Sequence, residues 1–212
     1  MKEYQKQFLE LTLHAKVLEF GDFTLKSGRQ SPYFFNAAKM LSGGHLYQLA
    51  TCYREAIKDA NISFDCIYGP AYKGIFLGSI VSMILSQHDE IYPLAFNRKE
   101  MKDHGEGGNI IGNDPKGDVL IIDDVISAGT AAKESIEVIK SIGAMPKVML
   151  VGLDRQEKGQ RDISARQELE EAFNMKVVSI INLDTLISYS ASSPEHGQYF
   201  DKLKAYRDEW GA

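Results

Sequence analysis

Five short apolar runs, FDCIYGP, EIYPLAF, DVLIIDD, KVMLVGLD and KVVSIINLD, constrain this chain more than any other feature. Most follow a polar or helix-like stretch and most are followed by Gly, Pro or Asp. Strands separated by helices of ten or more residues must be joined by crossovers, which give a mainly parallel sheet covered on both faces. The expected fold class is therefore α/β, with a mainly parallel central sheet flanked by helices. In such sheets ligands bind outside the carboxyl ends of the strands, so GPAYKG, FNRKE, DDVISAGTA and LDRQE should converge on one rim.

The remaining segments frame that sheet. Apolar residues from Phe8 to Phe20 at helical spacings suggest an amphipathic helix over 2–20, stopped by Gly21. FTLKSGRQSPYFFN reads as two short strands around a turn, and a second helix covers 44–60. A last helix is expected near Lys202 to Trp210; neither it nor His196 carries a chemical signal. A length of 212 residues suits one domain over 1–212, with no internal repeat. Cys52 and Cys66 have no paired spacing, so they read as small half-buried hydrophobes rather than a disulfide or zinc site. No apolar run reaches membrane-spanning length and the first residues lack a cleavable apolar region, so a soluble, cytoplasmic protein is expected. A net charge of −5 argues against nucleic-acid or membrane-surface binding.

The stretch VLIIDDVISAGTA, residues 119–131, concentrates the chemistry. A strand, a small-residue loop and a helix N-terminus form an anion site, because backbone N–H groups and the helix dipole both favour negative charge. An ordinary turn capped by Ser127 or Thr130 fits that loop equally well when it is taken alone. Asp123 and Asp124 change the balance. Carboxylates beside a phosphate need another task, such as accepting hydrogen bonds from sugar hydroxyls or holding Mg²⁺. A ribose 5-phosphate satisfies both halves of the motif.

In GPAYKG, Gly69 and Gly74 are expected to let a ligand approach the backbone, and Lys73 adds a charge suited to phosphate. It is not a Walker loop, since Lys73 precedes Gly74 and Ile75 follows. FNRKEMKDHGEGGNIIGND combines Arg98, Lys99, Lys102 and His104 with four glycines, and reads either as a surface loop or as a lid closing over an anionic substrate. Phe34 and Phe35 offer flat apolar faces, and Arg155 could pair bidentately with a planar carboxylate; alternatively the phenylalanines are core and the arginine forms a surface ion pair.

On these residues the chain resembles the type I phosphoribosyltransferases. IIDDVISAGTA is similar to their binding motif for phosphoribosyl diphosphate (PRPP), and KSGRQSPYFFN, GPAYKGI, FNRKEMKDHGEGG and LDRQE together resemble the orotate phosphoribosyltransferase family. The resemblance implies a phosphoribosyltransferase-like sheet with an N-terminal hood at about 1–40 and a mobile lid at about 98–113. It implies transfer of the phosphoribosyl group from PRPP to orotate, giving orotidine 5′-monophosphate and diphosphate, in pyrimidine biosynthesis. It further implies Mg²⁺ bound mainly through PRPP near Asp123 and Asp124, and a homodimer whose lid reaches the neighbouring subunit's site. By the same resemblance, Val125, Ile126, Ser127, Ala128, Gly129, Thr130 and Ala131 would form the phosphate loop, with Asp123 and Asp124 on the ribose. Tyr72 and Lys73 would bind the diphosphate. Arg98, Lys99, Lys102 and His104 would come from the lid, with Lys102 as the main catalytic cation. Lys26, Phe34, Phe35, Ser127 and Arg155 would receive orotate, Ser127 standing where the family often has threonine.

Three other readings compete. A purine phosphoribosyltransferase would share the PRPP site but would give Arg155 no carboxylate to grip. A nucleotide sensor that binds nucleic acid would need a basic surface, which an acidic chain does not offer. A Mg²⁺-dependent phosphatase would use the paired carboxylates without needing the small-residue loop and cationic lid together.

Overall fold

The computed structural model describes residues 1–25, 27–102 and 108–212, with only the backbone at 99–102 and 108. Lys26 and His104 lie outside the described residues, as do the side chains of Lys99 and Lys102.

The five apolar runs form β3 (Cys66–Gly69), β4 (Leu94–Lys102), β6 (Asp118–Ile126), β7 (Met145–Asp154) and β8 (Lys176–Asn182). With β5 (Gly108–Gly112) they make a six-stranded sheet in the order β5-β4-β3-β6-β7-β8. All neighbours are parallel except β4 and β5, which pair antiparallel. The described ends of the segment expected as a lid thus belong to two paired strands, a feature the glycine-rich sequence did not predict.

Side-chain alternation along each strand feeds two cores. Leu120, Ile122 and Leu150 face one side, packed with Phe8, Tyr53 and Leu77 of α1 (Glu3–His14), α2 (Leu46–Asp59) and α3 (Lys73–Ser86). Val119, Ile121 and Val151 face the other, with Ile136 of α4 (Thr130–Ser141) and Leu169 of α5 (Ala165–Phe173). Cys52 and Cys66 are both free and buried, more fully than the half-burial expected. Helices α6 (Leu183–Ser192) and α7 (Phe200–Trp210) close the first core through Leu186 and Leu203. Among the described residues no helix is long and apolar enough to cross a membrane.

The N-terminal expectation needs correction. The first helix ends at His14 rather than Gly21, and Leu18 to Phe20 belong to β1 (Leu18–Thr24), which pairs antiparallel with β2 (Gln30–Phe35). Lys16 at φ 53° breaks the helix, and the Val17 N–H returns to the Thr12 carbonyl. Leu18 then finds its partner in Phe35. Tertiary strand pairing overrides a weak helical pattern. The β1–β2 hairpin is a separate two-stranded sheet, anchored to the main core by Tyr33 and Phe35.

Candidate active site

The chain reverses its direction of winding between β3 and β6: from β3 it moves outward to β4 and β5, then returns to the other side of β3 for β6, β7 and β8. A crevice opens at such a switch point, outside the carboxyl ends of the strands. The β3–α3 loop and the end of β6 meet there. Lys73, first residue of α3, places Nζ 2.5 Å from Oδ2 of Asp124.

Glycine geometry makes that meeting possible, although not in the way the sequence suggested. A Cβ on Gly69 would stand 2.1 Å from the Gly74 carbonyl oxygen, and one on Gly74 would stand 2.4 Å from Pro70 Cδ and 2.9 Å from the Ile122 carbonyl oxygen. These two glycines let the turn fold onto itself and onto β6, rather than making room for a ligand. The turn is also fastened to β4, since the Ala71 N–H donates to Asn97 Oδ1 at 2.7 Å. Tyr72 is largely exposed at the mouth.

β6 runs through both aspartates before it ends. Asp124 is buried against Lys73, while Asp123 is half-buried and accepts the Asp124 N–H at 2.9 Å. Desolvation, reinforced by repulsion from Asp124, pushes the Asp123 carboxyl up to about 7. Tyr53 fixes the strand here by donating to the Asp123 carbonyl at 2.8 Å. Among the described residues no third histidine, cysteine or carboxylate joins the pair to make a metal cluster. Two carboxylates do suit Mg²⁺, which takes one or two such ligands and otherwise prefers water and substrate phosphates.

The loop after β6 leads into α4 through Gly129, whose φ of 77° is left-handed, and no side chain caps the helix. The ordinary-turn alternative, with Ser127 or Thr130 as cap, is therefore not realised. Ser127, Ala128, Thr130 and Ala131 are exposed around the open N-terminus, where first-turn amides lack intrahelical partners. Val125 and Ile126 differ: their side chains pack into the two cores, which leaves only their backbone for a ligand.

Arg98 lies on β4 with its Nε buried and without a hydrogen-bond partner. On β2, alternation separates the phenylalanine pair. Phe34 is exposed and stacks on Phe23 at 5.5 Å, whereas Phe35 turns inward against Phe8. Only one of the two offers a flat face to a base.

Arg155 follows β7, its N–H bonded to the Ile126 carbonyl at 3.1 Å, and so lies directly beside the loop after β6. It is not the surface ion pair considered from the sequence, being only 4% exposed. Its Nε donates to Glu157 Oε1 at 2.5 Å, and its Nη2 donates to Ser31 Oγ and to the Tyr206 hydroxyl, each at 3.0 Å. Both guanidinium edges include Nη2, whose protons are engaged within the protein, and Nη1 is the nitrogen with no acceptor assigned among the described residues. Sequence reading missed Ser31, Tyr33 and Tyr206 as neighbours of Arg155. Nothing local in the helix of Tyr206, 51 positions further on, marks it.

No protein-family model matches the chain. The chain is 50% identical over 212 residues, all of both chains, to the orotate phosphoribosyltransferase of Shigella flexneri, and equally to that of Escherichia coli. Among solved structures, the Francisella tularensis orotate phosphoribosyltransferase superposes with a TM-score of 0.85 at 39% identity, covering 97% of this chain and 99% of the other.

Proposed function

Since the chain belongs to the orotate phosphoribosyltransferase family, we propose that its switch-point crevice transfers the phosphoribosyl group of PRPP to orotate for pyrimidine biosynthesis. The orotate ring nitrogen, having lost its proton to solvent, forms a bond to ribose C1 while the C1–O bond breaks and diphosphate leaves with the bonding electron pair. The observation that carries this reading is the Lys73–Asp124 pair standing beside the uncapped N-terminus of α4. It offers a cation, a carboxylate pair and free amides within one crevice.

In this reading the amides of 127–131 hold the 5-phosphate, with the backbone of Val125 and Ile126 leading into the loop. Asp123 and Asp124 accept hydrogen bonds from the ribose hydroxyls. Tyr72 and Lys73 take the diphosphate, so Lys73 exchanges part of its contact with Asp124 for phosphate oxygens. Phe34 covers the face of orotate, Phe35 contributes backbone only, and Ser127, Lys26 and Arg155 Nη1 bind its polar groups. Negative charge develops on the leaving diphosphate, so cations placed there stabilise the transition state more than the ground state. Arg98, Lys99, Lys102 and His104 supply such cations from the lid, with Lys102 as the main one, and lid closure excludes water. Asp123 and Asp124 would stand near a Mg²⁺ held mainly through PRPP, and that ion would supply shielding of the phosphate charge. A homodimer whose lid covers the neighbouring site, and a cytoplasmic location, complete the reading.

The test is an ultraviolet assay of orotate consumption with PRPP and Mg²⁺, beside mixtures containing uracil, hypoxanthine or adenine. Loss of orotate absorbance that requires PRPP and Mg²⁺ is expected, with the other bases inert. Near-normal turnover by Lys102→Ala would remove Lys102 from its assigned role. Turnover of a purine instead of orotate would overturn the assigned base.

A further inference from the structure

Arg155 stands in a closed hydrogen-bonded cluster with Glu157, two residues further on, and with residues of two distant segments, the hairpin and α7. Glu157 accepts from Arg155 Nε through Oε1, from the Tyr206 hydroxyl at 2.5 Å through the same oxygen, and from Arg29 Nη1 at 2.8 Å through Oε2. Ser31 Oγ accepts from Arg155 and donates to the Tyr33 carbonyl at 2.7 Å. The Tyr33 ring lies under the guanidinium, 4.2 Å from centroid to Cζ, and Arg29 covers Trp210 at 4.7 Å. The hairpin, the loop after β7 and α7 are thus tied together around one arginine.

We propose that Glu157 and Tyr206 are positioning residues for orotate, holding the Arg155 guanidinium at one rotation and leaving Nη1 as the nitrogen that meets the carboxylate of the base. This rests on the reading of Arg155 as an orotate ligand. The hydrogen-bond accounting supports it. Nε–H and both Nη2 protons have acceptors, and no acceptor is assigned to Nη1 among the described residues. Charge accounting agrees. Arg29 and Arg155 share the single carboxylate of Glu157, so the cluster keeps one positive charge available for an anion. Burial and the nearby carboxylate hold the Tyr206 hydroxyl above its ordinary titration range, so it remains a hydroxyl that accepts from Arg155 while donating to Glu157. A guanidinium fixed before the base arrives does not lose rotamer freedom at binding.

The experiment uses the full-length enzyme and three variants: Tyr206→Phe, Arg155→Ala and the double variant. Tyr206→Phe keeps the ring in the core and removes only the hydroxyl. It should raise KM for orotate roughly tenfold, in line with loss of a hydrogen bond to a charged group, and leave KM for PRPP within about twofold. In the Arg155→Ala background it should change KM for orotate no further, because the two residues act through one contact. Glu157→Gln should follow the same pattern with a larger rise. If Arg155→Ala raises KM for orotate but Tyr206→Phe does not, the positioning role is wrong and the base-binding role of Arg155 stands. If Arg155→Ala itself leaves KM for orotate unchanged, the reading beneath the proposal fails. Equal rises in both KM values, or additive effects in the double variant, would mean that the cluster only holds α7 in place, and the proposal is overturned.

Discussion

The Lys73 ammonium and the Asp124 carboxylate, 2.5 Å apart, join the first turn of α3 to β6 at the point where the sheet reverses its winding. The two side chains are unequal: Lys73 is 41% exposed and Asp124 only 7%. Removing the lysine therefore strands a carboxylate that water reaches poorly. Lys73→Met should lower stability by about 1–2 kcal/mol, less than for a fully buried pair because the lysine is half in water. Adding Asp124→Asn should recover part of the loss. Thermal melts without substrate measure both, and a Lys73→Met variant that melts like the parent would show that the pair contributes nothing to the free enzyme.

Asp123 gives a pH dependence of stability. Its folded carboxyl titrates near 7, above the ordinary carboxylate range, chiefly through desolvation. A carboxyl raised in the folded state stabilises while protonated, and that contribution is lost as pH rises through the folded value. The window runs from about 4, where the unfolded chain titrates, to about 7. Asp123→Asn removes the penalty, so the variant should be more stable than the parent by about 1–3 kcal/mol at pH 8 and equal to it at pH 4. Urea unfolding at the two pH values measures this; a constant difference across the window would rule the titration out.

Both carboxylates could be picked out in the sequence because charge at the end of an apolar strand is costly without a partner. The five sheet strands were legible for a related reason, since parallel strands buried on both faces read as unbroken apolar runs. The first helix was misplaced beyond His14 because Leu18 and Phe20 suit a helix face as well as a strand, and only pairing with β2 decides. β5 was hidden by its glycines, its ladder being made by backbone groups opposite Ala95 to Asn97. The surroundings of Arg155 were not legible at all, because Ser31 and Tyr206 lie 124 and 51 positions away from it. The arginine itself was visible, but not the direction in which its nitrogens are used.

Gly129 joins the loop after β6 to α4, and so tests that loop separately from the rest of the proposed site. Its φ of 77° excludes most side chains, although a Cβ would meet only Ala165 at an ordinary 3.5 Å. The cost of Gly129→Ala is then conformational, about 1–2 kcal/mol. Relieving that strain would turn the loop amides away from the 5-phosphate of the proposed site. KM for PRPP should rise while KM for orotate changes little. Gly129→Asn should be milder, since asparagine visits the left-handed region more readily. Equal KM values for PRPP in the parent and Gly129→Ala would show that the helix N-terminus does not hold the substrate.

Phe34 and Phe35 should separate function from stability, because one strand sends them to opposite faces. Phe35 is 8% exposed and stacks within the core on Phe8 at 6.4 Å, so Phe35→Ala should cost about 3–5 kcal/mol. Phe34 is 36% exposed and touches the ring of Phe23 on the same hairpin. Phe34→Ala should therefore change stability by less than about 1 kcal/mol. Its effect should appear instead in KM for orotate, with KM for PRPP unchanged, because in the proposed site the ring covers the base and not the sugar. Chemical denaturation and steady-state kinetics on the two variants measure the two effects independently. A Phe34→Ala enzyme with parental KM for orotate would move the base away from the hairpin, and the remaining wall of the pocket would then have to come from the loop around Ser127.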